Sequence, residues 1–222
     1  MNKQYKHFIF DFDGVLANSR AIACEEINKI VKRDYPMIPL ANTQEDLALI
    51  YCGFLKTSLL RFGLNHNECE FFFNQHSSSM QKRCHEVEPF YEIVQLIAQV
   101  VHGKCSIVTS CYSDAVKAIL SKSPFYTDSI FHDIQGRELK KNKTEKILDI
   151  LNHQNILIED AVYIGDLVSD ILYCRNVPID IAIVGFGYHP ISYLSAFAPD
   201  YSLENQEDLK SFLVQRNRIR VA

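Results

Sequence analysis

No stretch of this 222-residue chain reaches the ~20 consecutive apolar residues that a membrane-spanning helix needs. The first seven residues are polar, and the apolar run behind them is too short for a secretory leader. The seven cysteines are odd in number and never stand in Cys-x-x-Cys spacing, which argues against a disulfide framework or a structural zinc and for a reducing compartment. Cys105 and Cys174 sit in apolar surroundings and are expected in the core; Cys111 follows a strand end, but no nearby histidine supports a thiol nucleophile. Internal repeats and low-complexity segments are absent. The net charge of −4 gives no general attraction for nucleic acid or anionic membranes, so an anionic substrate needs a local positive site. Together these absences lead us to expect a soluble cytoplasmic protein that acts on neither nucleic acid nor membrane.

Hydrophobic residues make up 47% of the chain, enough for a packed core. The most informative stretch is Phe8 to Ser19, FIFDFDGVLANS. A short apolar run closed by Gly14 reads as a buried strand, and near-continuous apolar strands belong to parallel sheets covered on both faces. Ligands of such sheets bind beyond the carboxyl ends of the strands, where Asp11 and Asp13 fall. Their period-two spacing can aim both carboxylates the same way if the backbone stays extended. Two adjacent carboxylates repel, and Mg²⁺ is the usual guest of a site with few carboxylates plus a substrate phosphate. The plain alternative is an Asp-rich turn closing a strand.

Three helical patterns follow: Arg20 to Arg33, Thr43 to Phe62 with a possible break at Gly53, and Asn67 to Arg83. The Phe71-Phe72-Phe73 cluster is expected in the core of this segment. Lys56, Arg61 and the Gly53 region are its candidates for facing a site, although a solvated surface is the ordinary place for them. Glu88-Pro89 suits a helix start, with Ile93, Val94, Ile97 and Val101 as its apolar face and Gly103 as its stop. Cys105 to Val108 reads as a strand ending at Thr109 and Ser110, and Ser113 as the cap of the next helix. Ile130 to Ile134 is a weaker strand. Asn142 to Glu145 resembles a capping box that places Lys143 in a first helical turn. Ala161 to Ile164 is a strand followed by Gly165-Asp166, with Asp170 four residues on. Ile181 to Val184, a short helix near Pro190 to Phe197, a strand at Tyr201 and a helix from about Asn205 complete the chain. Alternation after position 88 indicates a parallel α/β sheet. Residues 1–18 and 88–222 are therefore expected to form one α/β core, and residues 19–87 an inserted α-helical cap over the first strand's carboxyl end.

Asp11 and Asp13, Thr109 and Ser110, Lys143, and Asp166 and Asp170 all fall on one rim in this reading. Each alone has an ordinary role as a cap, a solvated first-turn lysine or a dipole-favoured acid. As a set they are chemically coherent. An ionised aspartate can form an aspartyl-phosphate, and a second can protonate the leaving oxygen and then activate water. Hydroxyls, backbone N–H groups and a lysine can hold phosphoryl oxygens. A cation on Asp11 and Asp166, with Asp170 as a third candidate, lets a dianion approach a carboxylate.

The chain resembles haloacid dehalogenase superfamily hydrolases of the phosphoglycolate-phosphatase-like type. The matching residues are DFDGVLANS (11–19), SIVTS (106–110), the Lys143 region, YIGDLVSD (163–170), GFGYHP (185–190) and APDYSL (198–203). The resemblance implies a Rossmann-like parallel sheet whose first strand lies between the second and fourth. It implies Asp11 as nucleophile and Asp13 as general acid/base. It further implies Thr109 and Lys143 as phosphate binders, Asp166 as a metal ligand with the Asp13 carbonyl, and Asp170 on the metal or behind it. The expected function is Mg²⁺-dependent hydrolysis of a small phosphorylated metabolite through an aspartyl-phosphate. The alternatives are a phosphomutase and a non-catalytic phosphate-responsive binding protein. Asn18 stands where many relatives carry Asp, and Lys143 lacks the common Gly-Lys-Pro context.

Overall fold

The computed structural model describes residues 3–217; residues 1–2 and 218–222, the two ends of the expected core, lie outside the described residues. Its centre is a parallel sheet of six strands: β1 (His7–Phe10), β4 (Cys105–Val108), β5 (Ile134–Gln135), β6 (Ala161–Gly165), β7 (Asp180–Val184) and β8 (Tyr201–Leu203). The order is β5-β4-β1-β6-β7-β8, and every pairing is parallel. The chain thus builds outward on one side of β1, returns, and builds outward on the other. That reversal makes a crevice at the carboxyl ends of β1 and its neighbours.

β1 shows why the sheet is covered on both faces. All four of its residues are buried. Phe8 and Phe10 pack into one cluster with Ile107, Ile164 and Val184, while Ile9 points the other way into a cluster with Ile147, Tyr163 and Ile171. Fully burying each phenylalanine is worth about 2–3 kcal/mol. The helices are α5 (Tyr91–Leu96, continued by a π-helical turn over Ile97–Val101), α6 (Ser113–Leu120), α7 (Lys143–His153), α8 (Val168–Arg175), α9 (Ile191–Ser195) and α10 (Gln206–Arg216).

Between the first two strands of this sheet lie α1 (Arg20–Asp34), α2 (Gln44–Ile50), α3 (Leu55–Arg61) and α4 (His66–Lys82). They share a separate core of Ala23, Ile27, Val31, Leu47, Leu59 and Phe72. Capping boxes start α2 at Thr43 with Asp46 and α4 at Asn65 with Glu68. The interruption at Gly53 falls in the break between α2 and α3.

Four local expectations need correction. Glu88–Pro89 is a strand, β3, antiparallel to β2 (Ala17–Asn18), and α5 starts only at Tyr91. The chain returning from the helical segment runs beside the chain leaving it, and this ladder tolerates a proline because it is short and at an edge. Ser113 is the first residue of α6 and not its cap; its hydroxyl donates to Glu138. Of the strand expected from Ile130, only Ile134 pairs, extended by Gln135. The backbone does not stay extended through Asp13: it turns at Phe12, whose carbonyl accepts from the N–H groups of Leu16 and Ala17. Gly14 completes the turn at φ +79°, a conformation L residues rarely adopt.

Candidate active site

The carboxyl ends of β1, β4 and β6 and the first turns of α7 and α8 converge below the helical segment. Between them is a cavity of about 380 Å³. Its floor includes Asp11, Asp13, Thr109, Ser110 and Lys143. Asp166 and Asp170 lie deeper and are fully buried.

Lys143 is the hub of the floor. The capping box of Asn142 with Glu145 begins α7 and sets Lys143 at its first position. Its Nζ donates to Asp11 Oδ2 and to Asp170 Oδ1, each at 2.7 Å. Burial works against the ammonium charge, but the two carboxylates outweigh burial and hold the lysine protonated. Asp11 Oδ1 accepts from Phe12 N. Burial raises the Asp11 carboxyl above the ordinary range, with Lys143 opposing and Asp170 adding to the rise. Asp170 sits in the first turn of α8, where its Oδ2 accepts from the N–H groups of Asp166 and Leu167. Both of its oxygens are therefore engaged by protein donors.

Asp166 is different. Its Oδ2 accepts from Tyr188 N at 2.7 Å, but its Oδ1 is buried without a hydrogen-bond partner. Burial, then repulsion from Asp11 and Asp170, push its pKa well above the usual carboxylate range. Space for its carboxylate exists only because two neighbours lack a Cβ. One added at Gly14 would come within 2.1 Å of Asp166 Oδ2, and one at Gly187 within 2.3 Å. Oxygens of Asp11, Asp166 and Asp170 all lie within 4.8 Å of one another. A buried, unpartnered carboxylate oxygen among three acids fits a hard divalent cation. The Asp13 side chain is not part of this cluster. It lines the cavity beside Ser19, and burial raises its pKa.

Thr109 Oγ1 accepts from Cys111 N at 3.0 Å, so the hydroxyl proton remains free to donate. The Thr109 carbonyl accepts from Lys146 Nζ at 2.7 Å. Lys146 is itself buried, and burial pushes its pKa down to about 8. Sequence reasoning had no means to separate it from its lysine neighbours; the signal was its place one turn after Lys143, on the buried face of α7. Tyr188, which closes the floor and shares a hydrogen bond with Ser19, lay inside the noted GFGYHP stretch but was assigned nothing.

The roof is formed by the helical segment. Phe54, Leu55, Phe73, His76, Ser77 and Met80 line the cavity from above. The aromatic triplet is divided: Phe72 is core, Phe73 lines the cavity and Phe71 is exposed. Gly53 and Lys56 reach the cavity, whereas Arg61 lies at a different surface groove with Pro190 and Tyr193. Cys105 and Cys174 are buried in the core, and Cys111 lines the cavity with its thiol pushed up by burial. No helix among the described residues is long and apolar enough to cross a membrane.

A family model for haloacid dehalogenase-like hydrolases matches residues 8–184. Among curated relatives, the pyrophosphatase PpaX of Bacillus cereus is 24% identical over 220 residues, covering 95% of this chain and 97% of that protein. A haloacid dehalogenase-like family hydrolase from Streptococcus pneumoniae superposes with a TM-score of 0.73 at 18% identity, covering 94% of this chain and 98% of that one. A predicted phosphoglycolate phosphatase from Haemophilus somnus gives 0.70 at 17% identity, covering 96% and 99%.

Proposed function

The chain belongs to the haloacid dehalogenase-like hydrolase family, and on that premise we propose that it is a Mg²⁺-dependent phosphatase acting on a small phosphorylated metabolite through an aspartyl-phosphate on Asp11. The observation that carries this reading is the floor geometry: Asp11 held by Lys143 and the Phe12 N–H, beside an Asp166 oxygen with no protein partner.

In the proposed reaction an Asp11 carboxylate oxygen attacks phosphorus. The P–O bond to the leaving group breaks, its electron pair goes to the leaving oxygen, and Asp13 supplies the proton. Asp13 then takes a proton from water as that water attacks phosphorus. The bond between phosphorus and Asp11 breaks, inorganic phosphate departs and both aspartates return to their starting state. Burial raises the Asp13 carboxyl above its ordinary value, the direction that favours a proton donor. The Thr109 hydroxyl, Ser110 and Lys143 hold the phosphoryl oxygens as charge redistributes. Asp11, Asp166 and the Asp13 carbonyl are the proposed metal ligands, with Asp170 orienting Lys143 and the first turn of α8. A bound cation supplies positive charge that offsets repulsion between a phosphate dianion and the acidic floor.

We assign residues 19–87 as a cap on the core formed by 1–18 and 88–222. Support comes from its separate apolar core, its position over the cavity and the polar contacts along its edges. Gln44 donates to the carbonyls of Gly185 and Gly187, and Arg20 donates to those of Phe186 and Gly187. Phosphate release from acetyl phosphate, assayed with Mg²⁺ and in excess chelator, tests the reading. Release is expected to stop in chelator and return with Mg²⁺. Full activity in chelator would overturn it.

A further inference from the structure

The roof presents three aromatic side chains, Tyr51, Phe54 and Phe73, beside the neutral polar groups of Ser77 and Gln81, and carries no unpaired cation among its lining residues. Tyr51, Phe54, Phe73, Tyr112, Tyr173 and Tyr188 surround the space above and beside the floor, with Leu55 and Met80 between them. The rings of Phe54 and Tyr173, both lining the cavity, pack against each other with centroids 4.8 Å apart. The lining residues that can carry positive charge are Lys56, Lys143 and His76. Lys56 is ion-paired with Glu70, and Lys143 is held between Asp11 and Asp170. Burial pushes His76 down to about 4, so its imidazole is neutral near pH 7. Its Nε2 is buried with no hydrogen-bond partner, which offers a polar contact without charge. Arg137 does not line the cavity; its guanidinium stacks on Phe73, 4.3 Å from the ring centroid, and donates to Asn74.

This arrangement has consequences for the part of the substrate that leaves. A carboxylate or a second phosphate in the roof would be desolvated beside aromatic rings, and the acids facing it, Asp11 and Asp13, would repel it. A flat apolar group would instead fill the space and stack, as aromatic pairs do at centroid separations of about 4.5–7 Å. A cavity of about 380 Å³ sits at the small end of the roughly 300–1,000 Å³ typical of ligand pockets. It suits one ring beside the phosphoryl group better than a nucleotide.

Resting on the phosphatase reading above, we infer that the preferred substrate is a phosphate monoester of a small, uncharged, ring-bearing alcohol seated against Phe54, Phe73 and Tyr173. Anionic leaving groups, as in pyrophosphate or phosphoglycolate, are disfavoured.

The test is steady-state phosphate release by the Mg²⁺-loaded protein from four compounds. Benzyl phosphate and phosphoglycolate are both alkyl esters whose leaving oxygen needs the Asp13 proton, so their difference reports on the roof. Pyrophosphate adds a second anion. Acetyl phosphate is activated and asks little of the roof, so it reports on the floor alone. We expect kcat/KM for benzyl phosphate to exceed those for phosphoglycolate and pyrophosphate by about tenfold or more. Phe54 is partly exposed, so its replacement spares the fold. Phe54→Ala should lower the benzyl-to-acetyl ratio of kcat/KM by about tenfold. Phe54→Lys should raise the phosphoglycolate-to-benzyl ratio by bringing a cation to the roof. Turnover of acetyl phosphate with phosphoglycolate or pyrophosphate equal to or above benzyl phosphate would overturn this inference and leave the phosphatase reading standing. No turnover of acetyl phosphate would overturn the phosphatase reading and this inference with it.

Discussion

Floor and roof enclose the same cavity but are built from different chemistry. On the floor, carboxylates and a lysine are fixed by short contacts to one another and to backbone N–H groups, and Asp166 Oδ1 is left as an unpartnered buried oxygen. On the roof, the lining is aromatic and aliphatic, and its polar members are neutral or paired. A preorganised charged floor serves any phosphate ester, because phosphoryl chemistry makes the same demand each time. On the phosphatase reading the choice among esters then falls to the roof, which would meet only the variable part of the substrate. Variants should separate the two walls: floor changes should affect all substrates alike, and roof changes should alter ratios between substrates.

The largest expected effect is on the floor. Asp11→Asn keeps the shape but removes the proposed nucleophile, and kcat should fall by roughly a thousandfold or more for acetyl and benzyl phosphate alike. Substantial remaining turnover, measured on folded protein, would mean that another group attacks phosphorus.

Lys143→Met is next. Removing the ammonium leaves Asp11 and Asp170 buried against each other without their shared partner. Breaking a buried pair in this way costs about 3–5 kcal/mol, and kcat/KM should fall roughly a hundredfold with loss of the proposed phosphate contact. Mg²⁺ should offset part of the instability by supplying charge to the same acids. Denaturant melts with Mg²⁺ and with chelator should therefore differ more for the variant than for the parent. Equal metal effects would argue that the cation does not share the Asp11 cluster.

Lys143 was reached through the capping box that opens its helix, whereas Asp11 and Asp166 were legible because charge at the end of an apolar strand is a rare pattern with a short list of causes. The sheet was legible for the same reason: Phe8-Ile9-Phe10 and Ala161 to Ile164 can be satisfied only by burial on both faces. Phe54 and Phe73 were not. An apolar residue on a helical segment has one periodic signature whether it faces a core or a cavity, and Phe71, Phe72 and Phe73 went to three environments from three adjacent positions. The divided fate of Asp13 and Asp11 was hidden too. Period-two spacing held only while the backbone was extended, and the turn at Phe12 and Gly14 takes Asp13 out of the acidic cluster.

A smaller effect distinguishes the walls by pH. Burial lowers His7 and His189 in the core and His76 in the roof to about 4. Near His76, Glu26 favours the charged ring and Arg137 opposes it. The unfolded chain takes up these protons below about pH 6.5, while the folded chain refuses them until lower pH. Stability should thus be unaffected by these groups above pH 6.5, fall as pH drops toward 4 and level off beneath it. Each contributes a loss of about 2 kcal/mol by pH 5. In His76→Gln, the loss between pH 7 and pH 5, read from urea midpoints, should shrink by up to that amount. An unchanged loss would show that the roof imidazole is already protonated at pH 5.

The smallest effect should come from Arg137, which joins the walls without entering the cavity. It follows β5 in the core, yet its side chain reaches α4, stacking on Phe73 and donating to Asn74 and Ser77. The acceptors are neutral but the guanidinium is charged, so each bond is worth roughly 1.5 kcal/mol, the low end for charge-assisted bonds at a partly exposed site. Losing the contact should loosen the roof without disturbing Asp11 or Lys143. Arg137→Ala should therefore lower the benzyl-to-acetyl ratio of kcat/KM by about fivefold. Arg137→Lys keeps the charge but loses the planar stack and the fork, so it should resemble Arg137→Ala more than the parent. If the lysine variant restores the parent ratio, long-range charge and not the stacked contact is what Arg137 supplies. If both variants slow acetyl and benzyl phosphate equally, Arg137 acts through the floor, and the division between the two walls fails at this residue.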